Sequence, residues 1–451
     1  MMTTETIRIQ GEESYDVVVC GGGTAGFCAA VAAAREGAKT CVLERFGALG
    51  GTMTIGGVSA PALFHAHGKQ IIAGIGWELM TTLAKNGFAQ LPPAPFNLRH
   101  PQMAVELNAF EAEVEMNRMA ETAGVHLCYH QPVVYVCAEG GHVSSVLIST
   151  QKGLKRICGK VFIDCSGDGS VCVMAGAEYE LSDELQPASL NSILMNLREA
   201  EKDDAAIKRA YDQSLKSGDM QPQDIWGKNI GGLTTGRGRG RGASLDECYA
   251  INPGNNLNHV YPFNGADEES RTRGEIDGRE SIARTVKFVR AHVPGYERAY
   301  VASVSPLVSA RESRRIVGNA YITVENYVNG VCPPDSVCYS FYPVDVHRGT
   351  EDKPLDNVFL DEGRVPGIPL GALIARGFDN LMMAGRIASG DRRAQSAYRV
   401  QASCMAMGEA AGTAAAAAAK QGVRVTEIDV DALRRRLHDN GVLVPGIDDV
   451  R

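Results

Sequence analysis

The stretch Tyr15–Glu44 reads YDVVVCGGGTAGFCAAVAAAREGAKTCVLE, and it decides the fold. Asp16–Cys20 is a short apolar run that ends at glycines, which predicts a buried strand. Residues 25–36 are rich in alanine and are followed by Gly37, as a helix is followed by a glycine cap. Lys39–Leu43 predicts a second strand. The stretch therefore predicts a strand–helix–strand unit with parallel strands.

The turn between the first strand and the helix carries the pattern G-x-G-x-x-G, formed by Gly21, Gly23 and Gly26. The first glycine allows a tight turn, the second lets a pyrophosphate approach the backbone, and the third lets helix and strand pack closely. The helix start offers free N–H groups to that pyrophosphate. Glu44, about 20 residues on, suits the ribose hydroxyls and would repel a 2′-phosphate. Together these features predict a dinucleotide site.

Composition narrows the class of protein. The chain has 451 residues, a length that allows two or three globular domains. Hydrophobic residues make up 44% of it, which is ordinary for a protein with a sizeable core. The net charge of −8 gives no general basic surface for nucleic acid or membrane. No apolar run reaches membrane-span length, and the start lacks a secretory pattern. The 12 cysteines form no C-x-x-C pair. We expect a cytoplasmic protein with reduced, mostly buried thiols and no metal.

Two further segments repeat the pattern of a strand that ends in a glycine turn. One ends in Ser166, Gly167 and Asp168, and the other ends in Gly385 and Arg386. A helix predicted from Ser396 through Gly412 follows the second, with small residues along one face. The carboxyl ends of parallel strands meet at one sheet edge, where ligands of such folds bind. Three such strand ends and one late helix predict a single long ligand, for which FAD is long enough.

The middle of the chain has a different character. From about residue 180 to 345, segments rich in glycine, asparagine and arginine alternate with amphipathic helices such as Arg279–His292. This predicts three parts: residues 14–180 and 346–451 form one discontinuous cofactor domain, and residues 181–345 form an inserted substrate domain.

These motifs resemble the FAD-dependent oxidoreductases related to succinate dehydrogenase and fumarate reductase flavoproteins, in particular a broad bacterial group. The resemblance extends over almost the whole chain. It is carried by Asp16–Glu44, LGGTMT at 49–54, DCSGDG at 164–169, Pro306–Gly318 with its ARESRRIVG, YPVDVH at 342–347 and Asn380–Ala415. The resemblance implies an α/β fold: a Rossmann-like FAD-binding domain, discontinuous and similar to that of glutathione reductase, with an inserted α+β substrate domain.

The resemblance also implies roles for single residues. Glu44 would hold the adenosine ribose, and Gly51 and Thr52 would lie along the pyrophosphate and flavin. The helix start near Arg399–Gln401 would point at the pyrimidine side of the flavin and stabilise negative charge there. With the glycine motif, the residues expected at FAD are Gly21, Gly23, Thr24, Ala25, Gly26, Glu44, Arg45, Gly51, Thr52, Val133, Ser166, Gly167, Asp168, Gly385, Arg386, Arg399, Val400 and Gln401. A cysteine pair for disulfide reduction and a second dinucleotide motif are missing from the sequence.

Candidate catalytic side chains lie near the end of the inserted region. In the segment 341–347, strand alternation would put Asp345 and His347 on one face, next to Tyr342. A histidine beside an aspartate suits general-base work near neutral pH. A structural pair at a domain hinge is the alternative, with even weight.

Three arginines form a second candidate group. Arg311, Arg314 and Arg315 would share one face if their segment were helical. Arginine binds carboxylates through two parallel hydrogen bonds, so Arg311 and Arg314 are candidates for holding a substrate carboxylate. An internal ion-pair network with Glu312 is the slightly favoured alternative.

Three histidines are further candidates. These are His259 and the pair His65 and His67. The H-x-H pair lacks other metal ligands nearby, which argues against a metal site. A covalent link from His65 or His67 to flavin is a minor alternative.

An arginine-glycine run, GRGRGRG at 236–242, suggests RNA binding. A lid loop with glycine hinges is favoured instead, because the run is short and lies in an acidic protein.

The sequence thus predicts an FAD-dependent oxidoreductase that transfers a hydride between a small organic substrate and non-covalently bound FAD. His347, Arg314, Arg311 and Tyr342 are the predicted catalytic residues. A flavin monooxygenase is one alternative, and a binding or RNA-modification partner with structural flavin is the other. A homo-oligomer is possible, and neither nucleic acid nor a membrane is an expected partner.

Overall fold

The structure is a computed structural model that describes residues 8–96, 100–198, 200–228, 250–253, 258–348, 355–448 and 450. The arginine-glycine run at 236–242 lies outside the described residues, so the lid and RNA interpretations of it stay predictions. Within the described part of the chain, no helix is long and apolar enough to cross a membrane.

Ten helices are described, and most begin at a polar or glycine cap. They are α1 (Thr24–Arg35), α2 (Ile75–Lys85), α3 (Ala109–Ala123), α4 (Ser170–Met174), α5 (Asp204–Ser217), α6 (Glu268–His292), α7 (Val324–Val328), α8 (Arg392–Tyr398), α9 (Gln401–Gln421) and α10 (Val430–Asp439). Short 3₁₀ helices occur at His100–Met103, Pro222–Lys228 and Leu370–Leu373.

The described strands divide between one large sheet and several short ribbons. They are β1 (Ile9–Cys20), β2 (Thr40–Leu43), β3 (His65–Ala66), β4 (Lys69–Gln70), β5 (Ala89–Gln90), β6 (Glu106–Leu107), β7 (His126–Cys128), β8 (Val133–Glu139), β9 (His142–Thr150), β10 (Gly153–Asp164), β11 (Tyr179–Glu180), β12 (Ala188–Ser189), β13 (Ser192–Leu197), β14 (Ala250–Pro253), β15 (His259–Val260), β16 (Tyr300–Val304), β17 (Arg315–Ile316), β18 (Ser336–Tyr339), β19 (Val344–His347), β20 (Leu355–Val358), β21 (Gly367–Pro369) and β22 (Leu381–Met383).

The large sheet has the order β7-β2-β1-β10-β9-β8, and β22 pairs with the end of β10. Strands β7, β2, β1, β10 and β22 run parallel, whereas β8 and β9 form an antiparallel hairpin beside the start of β10. In register, Cys20 lies opposite Leu43 and Asp164, and Asp164 lies opposite Met383. The predicted convergence of strand ends at one sheet edge is therefore confirmed.

The carboxyl-terminal ends of β1 and β10, with β2 and β22 beside them, are buried on both faces, which explains why these segments are apolar runs. Strand β8 at the edge is largely exposed. Val17 and Val19 pack into a core with α1 and α9, while Val18 and Cys20 face a second core on the other side. Helix α9 lies directly against α1, since a Cβ at Gly408 would overlap the carbonyl oxygen of Ala25. The small residues predicted on the late helix therefore allow close helix packing.

The inserted region (residues 181–345) contains a three-stranded sheet, β14-β13-β16, with α5 and α6 against it. Leu194, Tyr211 and Phe288 belong to a hydrophobic core separate from those of the large sheet. Other residues of the same region, such as Tyr327 and Tyr339, belong instead to the core that α1 and α9 share with the large sheet. The predicted division into domains therefore stays a prediction.

One prediction about local structure was wrong, and the condition attached to another is not met. The segment from Ser396 to Gly412 is two helices rather than one, because the chain becomes extended at Val400. The residues around Arg311–Arg315 are not helical: Arg315 lies in β17, and the preceding residues are irregular. The arginines therefore do not share a helix face.

Most of the 11 described cysteines are buried in the core, which is the position expected for structural thiols. The twelfth, Cys248, lies outside the described residues.

Candidate functional site

A cavity of about 440 Å³ opens at the carboxyl ends of the parallel strands. Cys20 of β1, Leu43 of β2, and the residues that follow β10 and β22 form its floor. Leu307–Arg311 and Ser189 of the inserted region form part of its wall. The cavity therefore lies between the large sheet and the inserted region, at the edge where folds of this type bind ligands.

Of the residues predicted to bind the cofactor, all except Gly26 line this one cavity. Those that line it are Gly21, Gly23, Thr24, Ala25, Glu44, Arg45, Gly51, Thr52, Val133, Ser166, Gly167, Asp168, Gly385, Arg386, Arg399, Val400 and Gln401.

The glycine turn has the geometry that its sequence predicts. Gly21 has a φ of +104°, and a Cβ there would lie 2.5 Å from the carbonyl oxygen of Cys165. A Cβ at Gly26 would overlap the carbonyl oxygen of Gly21, so Gly26 serves helix–strand packing rather than lining the cavity. A Cβ at Gly23 would meet no atom within 4 Å, which leaves the backbone open to a ligand.

Helix α1 begins at this turn without any capping side chain. Its N-cap residue is Gly23, which has no side chain to cap the helix, and the first turn has no acidic residue. The free N–H groups and the positive end of the helix dipole therefore favour an anion at this position.

Glu44 is buried at the end of β2. One carboxylate oxygen accepts a hydrogen bond from the Gly22 amide at 2.7 Å, and the other accepts one from the Phe46 amide at 2.8 Å. These contacts fix the carboxylate at the cavity wall. Each oxygen keeps a lone pair with which it can accept a ligand hydroxyl.

The turn after β10 carries a buried carboxylate between two arginines. Asp168 forms ion pairs with Arg386, at 2.9 Å, and with Arg271 of α6. Burial alone would raise the pKa of Asp168, but the guanidinium groups of Arg386 and Arg271 outweigh it and hold that pKa at about 2. Asp168 is therefore ionised at neutral pH and joins the sheet edge to the inserted region.

The glycine loop after β2 is held between the two parts of the chain. Gly51 packs on Gly23, and Asn191 donates a hydrogen bond to the Gly56 carbonyl at 2.7 Å. The Gln401 side chain donates to the Val58 carbonyl at 2.8 Å. The Oε1 atom of Gln401 is buried and has no hydrogen-bond partner among the described residues, and the residue lines the cavity.

The opposite end of the cavity is built from charged and polar side chains. His347 Nε2 lies 3.2 Å from an Asp345 carboxylate oxygen, as strand alternation predicts for β19. Arg399 lies 3.8 Å from the same oxygen. Arg311 donates to the Pro187 carbonyl at 2.6 Å and lies 3.1 Å from His259 Nε2.

Burial and charge shift the pKa values of this cluster. Burial and the nearby charge of Arg311 lower the pKa of His347 to about 4, so its imidazole is neutral at pH 7. Burial would raise the pKa of Asp345, but His347, Arg399 and Arg311 together hold it at about 2. Burial and Arg399 lower the pKa of Arg311 to about 9, which still leaves it charged at pH 7. With Arg399 also charged, the cluster carries an excess of positive charge.

The predicted catalytic residues are divided by their position. His347, Arg311 and Tyr342 line the cavity, together with Asp345. Arg314 does not: its guanidinium donates to the Ala266 carbonyl at 3.0 Å and covers the ring of Tyr179. A further contact joins Arg314 to the cavity edge, where it donates to the main-chain carbonyl of Asp168 at 3.4 Å. The assignment of Arg314 to the catalytic group therefore stays a prediction.

The remaining candidates also lie outside the cavity lining. Arg315 pairs with Glu312 at 3.1 Å, as the ion-pair alternative predicts. His65 stacks on Phe96, with ring centres 4.0 Å apart, and His67 contacts Phe341 edge-on. In the described part of the chain, no three His, Cys, Asp or Glu side chains are grouped as a metal site.

Three residues at this site were not indicated by any sequence pattern. Ser189 lines the cavity, and its buried hydroxyl has no hydrogen-bond partner among the described residues. Gln186 is also buried, and its side-chain oxygen accepts from the His347 amide at 3.2 Å. Arg271, on α6, lines the cavity beside Asp168. None of them belongs to a local motif, and only tertiary structure brings them to the cavity.

A family model described as FAD dependent oxidoreductase matches residues 16–437 of the chain. The chain belongs to the FAD-dependent oxidoreductase family. FAD is thus its cofactor, and the protein is a flavoenzyme.

Curated relatives match only short stretches of this FAD-dependent oxidoreductase. Dihydrolipoyl dehydrogenase of Trypanosoma brucei brucei is 53% identical over 53 residues, which is 12% of this chain and 11% of the relative. Dihydrolipoyl dehydrogenase 2, mitochondrial, of Arabidopsis thaliana is 46% identical over 64 residues, or 14% and 13% of the two chains. The matched stretches span little more than a tenth of these relatives.

Solved structures align with most of the chain at low similarity. A geranylgeranyl bacteriochlorophyll reductase-like protein from Thermoplasma acidophilum has a TM-score of 0.43 and 12% identity, over 95% of this chain and 83% of that one. The flavin-dependent brominase Bmp2 has a TM-score of 0.45 and 12% identity, over the same shares.

The residues of this FAD-dependent oxidoreductase fit its cofactor. Two helices, α1 and α9, begin at the cavity without a capping side chain, at Gly23 and Val400. A dinucleotide with a central pyrophosphate and an electron-accepting ring can use both helix starts. Glu44 offers an acceptor for a ribose, and Gln401 has a buried oxygen that can accept from a ring N–H.

Proposed function

We propose that this flavoenzyme is a dehydrogenase or reductase that moves a hydride between non-covalently bound FAD and a small organic substrate with an anionic group. The observation that carries the proposal is the cluster of His347, Asp345, Arg311 and Arg399 at the far end of the cavity from Glu44. When bound, FAD supplies a ring that can accept or donate the hydride. The chain itself must bind the substrate, orient it and move one proton.

His347 is the proton acceptor in this proposal. Its Nε2 atom faces the ionised carboxylate of Asp345, which favours the tautomer with the proton on Nε2. Nδ1 is then the nitrogen with the lone pair, so the neutral imidazole is in the form that can accept a proton and later return it. Burial keeps the imidazole neutral at pH 7, as a base must be before it acts, and Asp345 stabilises the imidazolium that forms.

Arg311 and Arg399 hold the anionic group of the substrate in this proposal. Both line the cavity, and Asp345 is the carboxylate nearest to Arg399 there, at 3.8 Å. An arginine in a buried site binds a carboxylate or phosphate with paired, charge-assisted hydrogen bonds. Tyr342 adds a further hydroxyl at the same end of the cavity.

The test is an anaerobic screen of 2-hydroxy acids, dicarboxylates and their reduced or oxidised partners, followed by flavin absorbance. We expect at least one class of carboxylate to bleach the oxidised flavin or to reoxidise the reduced flavin. His347→Gln should slow this step by about 10²–10⁴-fold with FAD content unchanged. Arg311→Met should raise the substrate concentration needed for half-maximal rate. Equal rates in wild type and both variants would refute the assignment.

Other outcomes favour other functions. Flavin reduction by NAD(P)H, followed by oxygen uptake and a hydroxylated product, would indicate a monooxygenase. If no compound of the anaerobic screen reduces or reoxidises the flavin, and the protein copurifies with another subunit or with RNA, the flavin is structural. Flavin that stays with the polypeptide after acid denaturation would contradict non-covalent binding.

The wider predictions belong to the same proposal. We infer a discontinuous, Rossmann-like cofactor domain from 14–180 and 346–451, with the substrate unit at 181–345, which the large sheet and the separate core of Leu194, Tyr211 and Phe288 support. A relation to succinate dehydrogenase and fumarate reductase flavoproteins, bacterial origin, a cytoplasmic location and homo-oligomerisation are part of it too.

A further inference from the structure

Helix α6 of the inserted region sends one arginine to the cofactor side of the cavity. Arg271 lies in the first turn of α6, and its Nε donates a hydrogen bond to the Gly265 carbonyl at 2.6 Å. The far end of its guanidinium pairs with Asp168, on the turn after β10. That turn lies beside the glycine motif, because Gly21 packs on the carbonyl of Cys165. The inserted region thus contributes a cation next to the uncapped start of α1.

The charges around this point do not balance. Arg45, Arg271 and Arg386 all line the cavity, and Asp168 is the carboxylate that pairs with both Arg271 and Arg386. Arg45 is close enough to interact electrostatically with both other arginines, with Asp168 and with Glu44, so three cations face two carboxylates. Like charges held together need an anion between them, because each one otherwise disfavours the others.

A second observation points to a missing ligand. The Nε atom of Arg386 is buried and has no hydrogen-bond partner among the described residues. A buried donor without a partner costs roughly 1–3 kcal/mol, so such groups are normally satisfied when the site is occupied.

We propose that Arg271 binds the diphosphate of the cofactor, and so completes from the inserted region an anion site that the glycine motif and Arg386 form from the sheet. Arg271 keeps its contact with Asp168 and turns its remaining N–H groups to a phosphate oxygen. The inserted region is thereby fastened to the cofactor domain where FAD binds. The inference rests on FAD binding and does not depend on which substrate the enzyme uses.

The experiment measures ligand affinity rather than activity. FAD is removed from the full-length protein, and the dissociation constants of FAD, ADP and adenosine are measured by calorimetry or competition. ADP carries the diphosphate and adenosine does not, so the two probes separate phosphate contacts from adenosine contacts. We expect Arg271→Met to weaken FAD and ADP about tenfold, the loss of one charge-assisted contact, and to leave adenosine unchanged.

Two further variants make the result specific. Arg273→Met is the matched control, because Arg273 lies on the same helix, is largely exposed and pairs only with Asp277 among the described residues. It should leave all three affinities unchanged. Arg271→Lys keeps the charge and should restore part of the ADP affinity.

Several outcomes would overturn the inference. If Arg271→Met binds FAD and ADP as tightly as the wild type does, Arg271 only forms its ion pair with Asp168 and does not bind the diphosphate. An equal loss of ADP and adenosine affinity would indicate a general disturbance of the cavity. The inference does not need the proposed function. If the anaerobic screen finds no substrate but Arg271→Met still loses ADP affinity tenfold, the inference holds.

Discussion

The two ends of the cavity are built in different ways. At the dinucleotide end the site is formed mainly by backbone, at Gly21, Gly23 and the open start of α1, with the Glu44 carboxylate at the end of the next strand. At the reactive end side chains form the site, and they come from distant parts of the chain, such as Ser189, Arg311, His347 and Arg399. The first end depends on close packing, and the second depends on buried charge.

This difference determines how each end responds to mutation. A backbone site tolerates few added atoms, because a Cβ at Gly21 or Gly26 would overlap the backbone and a Cβ at Gly23 would fill the space left for the ligand. A side-chain site tolerates shape changes better, but its chemistry disappears with a single functional group. Mutations at the dinucleotide end should therefore remove FAD and stability together, whereas those at the reactive end should separate activity from both.

The largest effect is expected at Gly26. The Cβ of Gly26→Ala would overlap the carbonyl oxygen of Gly21, so α1 must move away from the sheet or the turn must open. We expect a loss of about 3 kcal/mol or more in the free energy of unfolding, together with loss of bound FAD. Denaturant unfolding and the flavin-to-protein absorbance ratio measure the two effects.

Gly11→Ala is the matched control for that change. Gly11 is an exposed residue of β1, and a Cβ there would meet no atom within 4 Å. It should retain FAD and stay within about 0.5 kcal/mol of the wild-type stability. A Gly26→Ala protein as stable and as rich in flavin as the Gly11→Ala protein would contradict the role given to this packing.

The dinucleotide end could be predicted from the sequence because its information is local. One βαβ unit fixes Gly21, Gly23 and Glu44 relative to each other, so about 30 consecutive residues suffice. The other strand ends were also predictable, since parallel strands end at a shared edge. Glycine spacing could not reveal the break at Val400, where no proline or glycine marks the end of α8.

The reactive end could be predicted only in part. Asp345 and His347 are two residues apart on one strand, so alternation alone brings them together. The same reasoning grouped Arg311 with Arg314 on an assumed helix, whereas the segment is not helical and the two side chains diverge. Ser189, Gln186 and Arg271 reach the cavity only through the packing of the inserted region, which no single sequence pattern encodes.

A smaller and pH-dependent effect is expected at His347. Its pKa is about 4 in the folded protein and near 6.5 in an unfolded chain, so only the unfolded chain takes up a proton between these values. The neutral His347 therefore makes its full contribution to the free energy of unfolding above about pH 6.5, and this contribution is lost as the pH falls towards 4. For His347 the loss is of order 3 kcal/mol. His347→Gln should remove this part of the pH dependence while keeping FAD bound.

The measurement is urea unfolding of the flavin-bound protein at pH 7.5 and pH 4.5. The buried His259 and His65 also have lowered pKa values and titrate in the same direction, so the comparison with wild type isolates His347. His292→Gln, at an exposed position on α6, should leave the wild-type pH dependence intact. If His347→Gln loses as much stability on acidification as wild type, the buried, neutral state of His347 is wrong.

The smallest effect is expected at Arg314, and it sharpens the boundary of the reactive end. Arg314 donates to the Ala266 carbonyl and covers the Tyr179 ring, whereas Arg311, three residues earlier, lines the cavity. Arg314→Met should cost about 1 kcal/mol of stability and leave FAD content and the rate of flavin reduction unchanged. Arg311→Met should show the reverse pattern: FAD stays bound, and flavin reduction by substrate is slow.

Thermal unfolding and anaerobic flavin reduction, measured on both variants, test this prediction. If Arg314→Met has normal stability but reduces flavin slowly, Arg314 belongs to the substrate site. The reactive end then extends to the turn at Asp168.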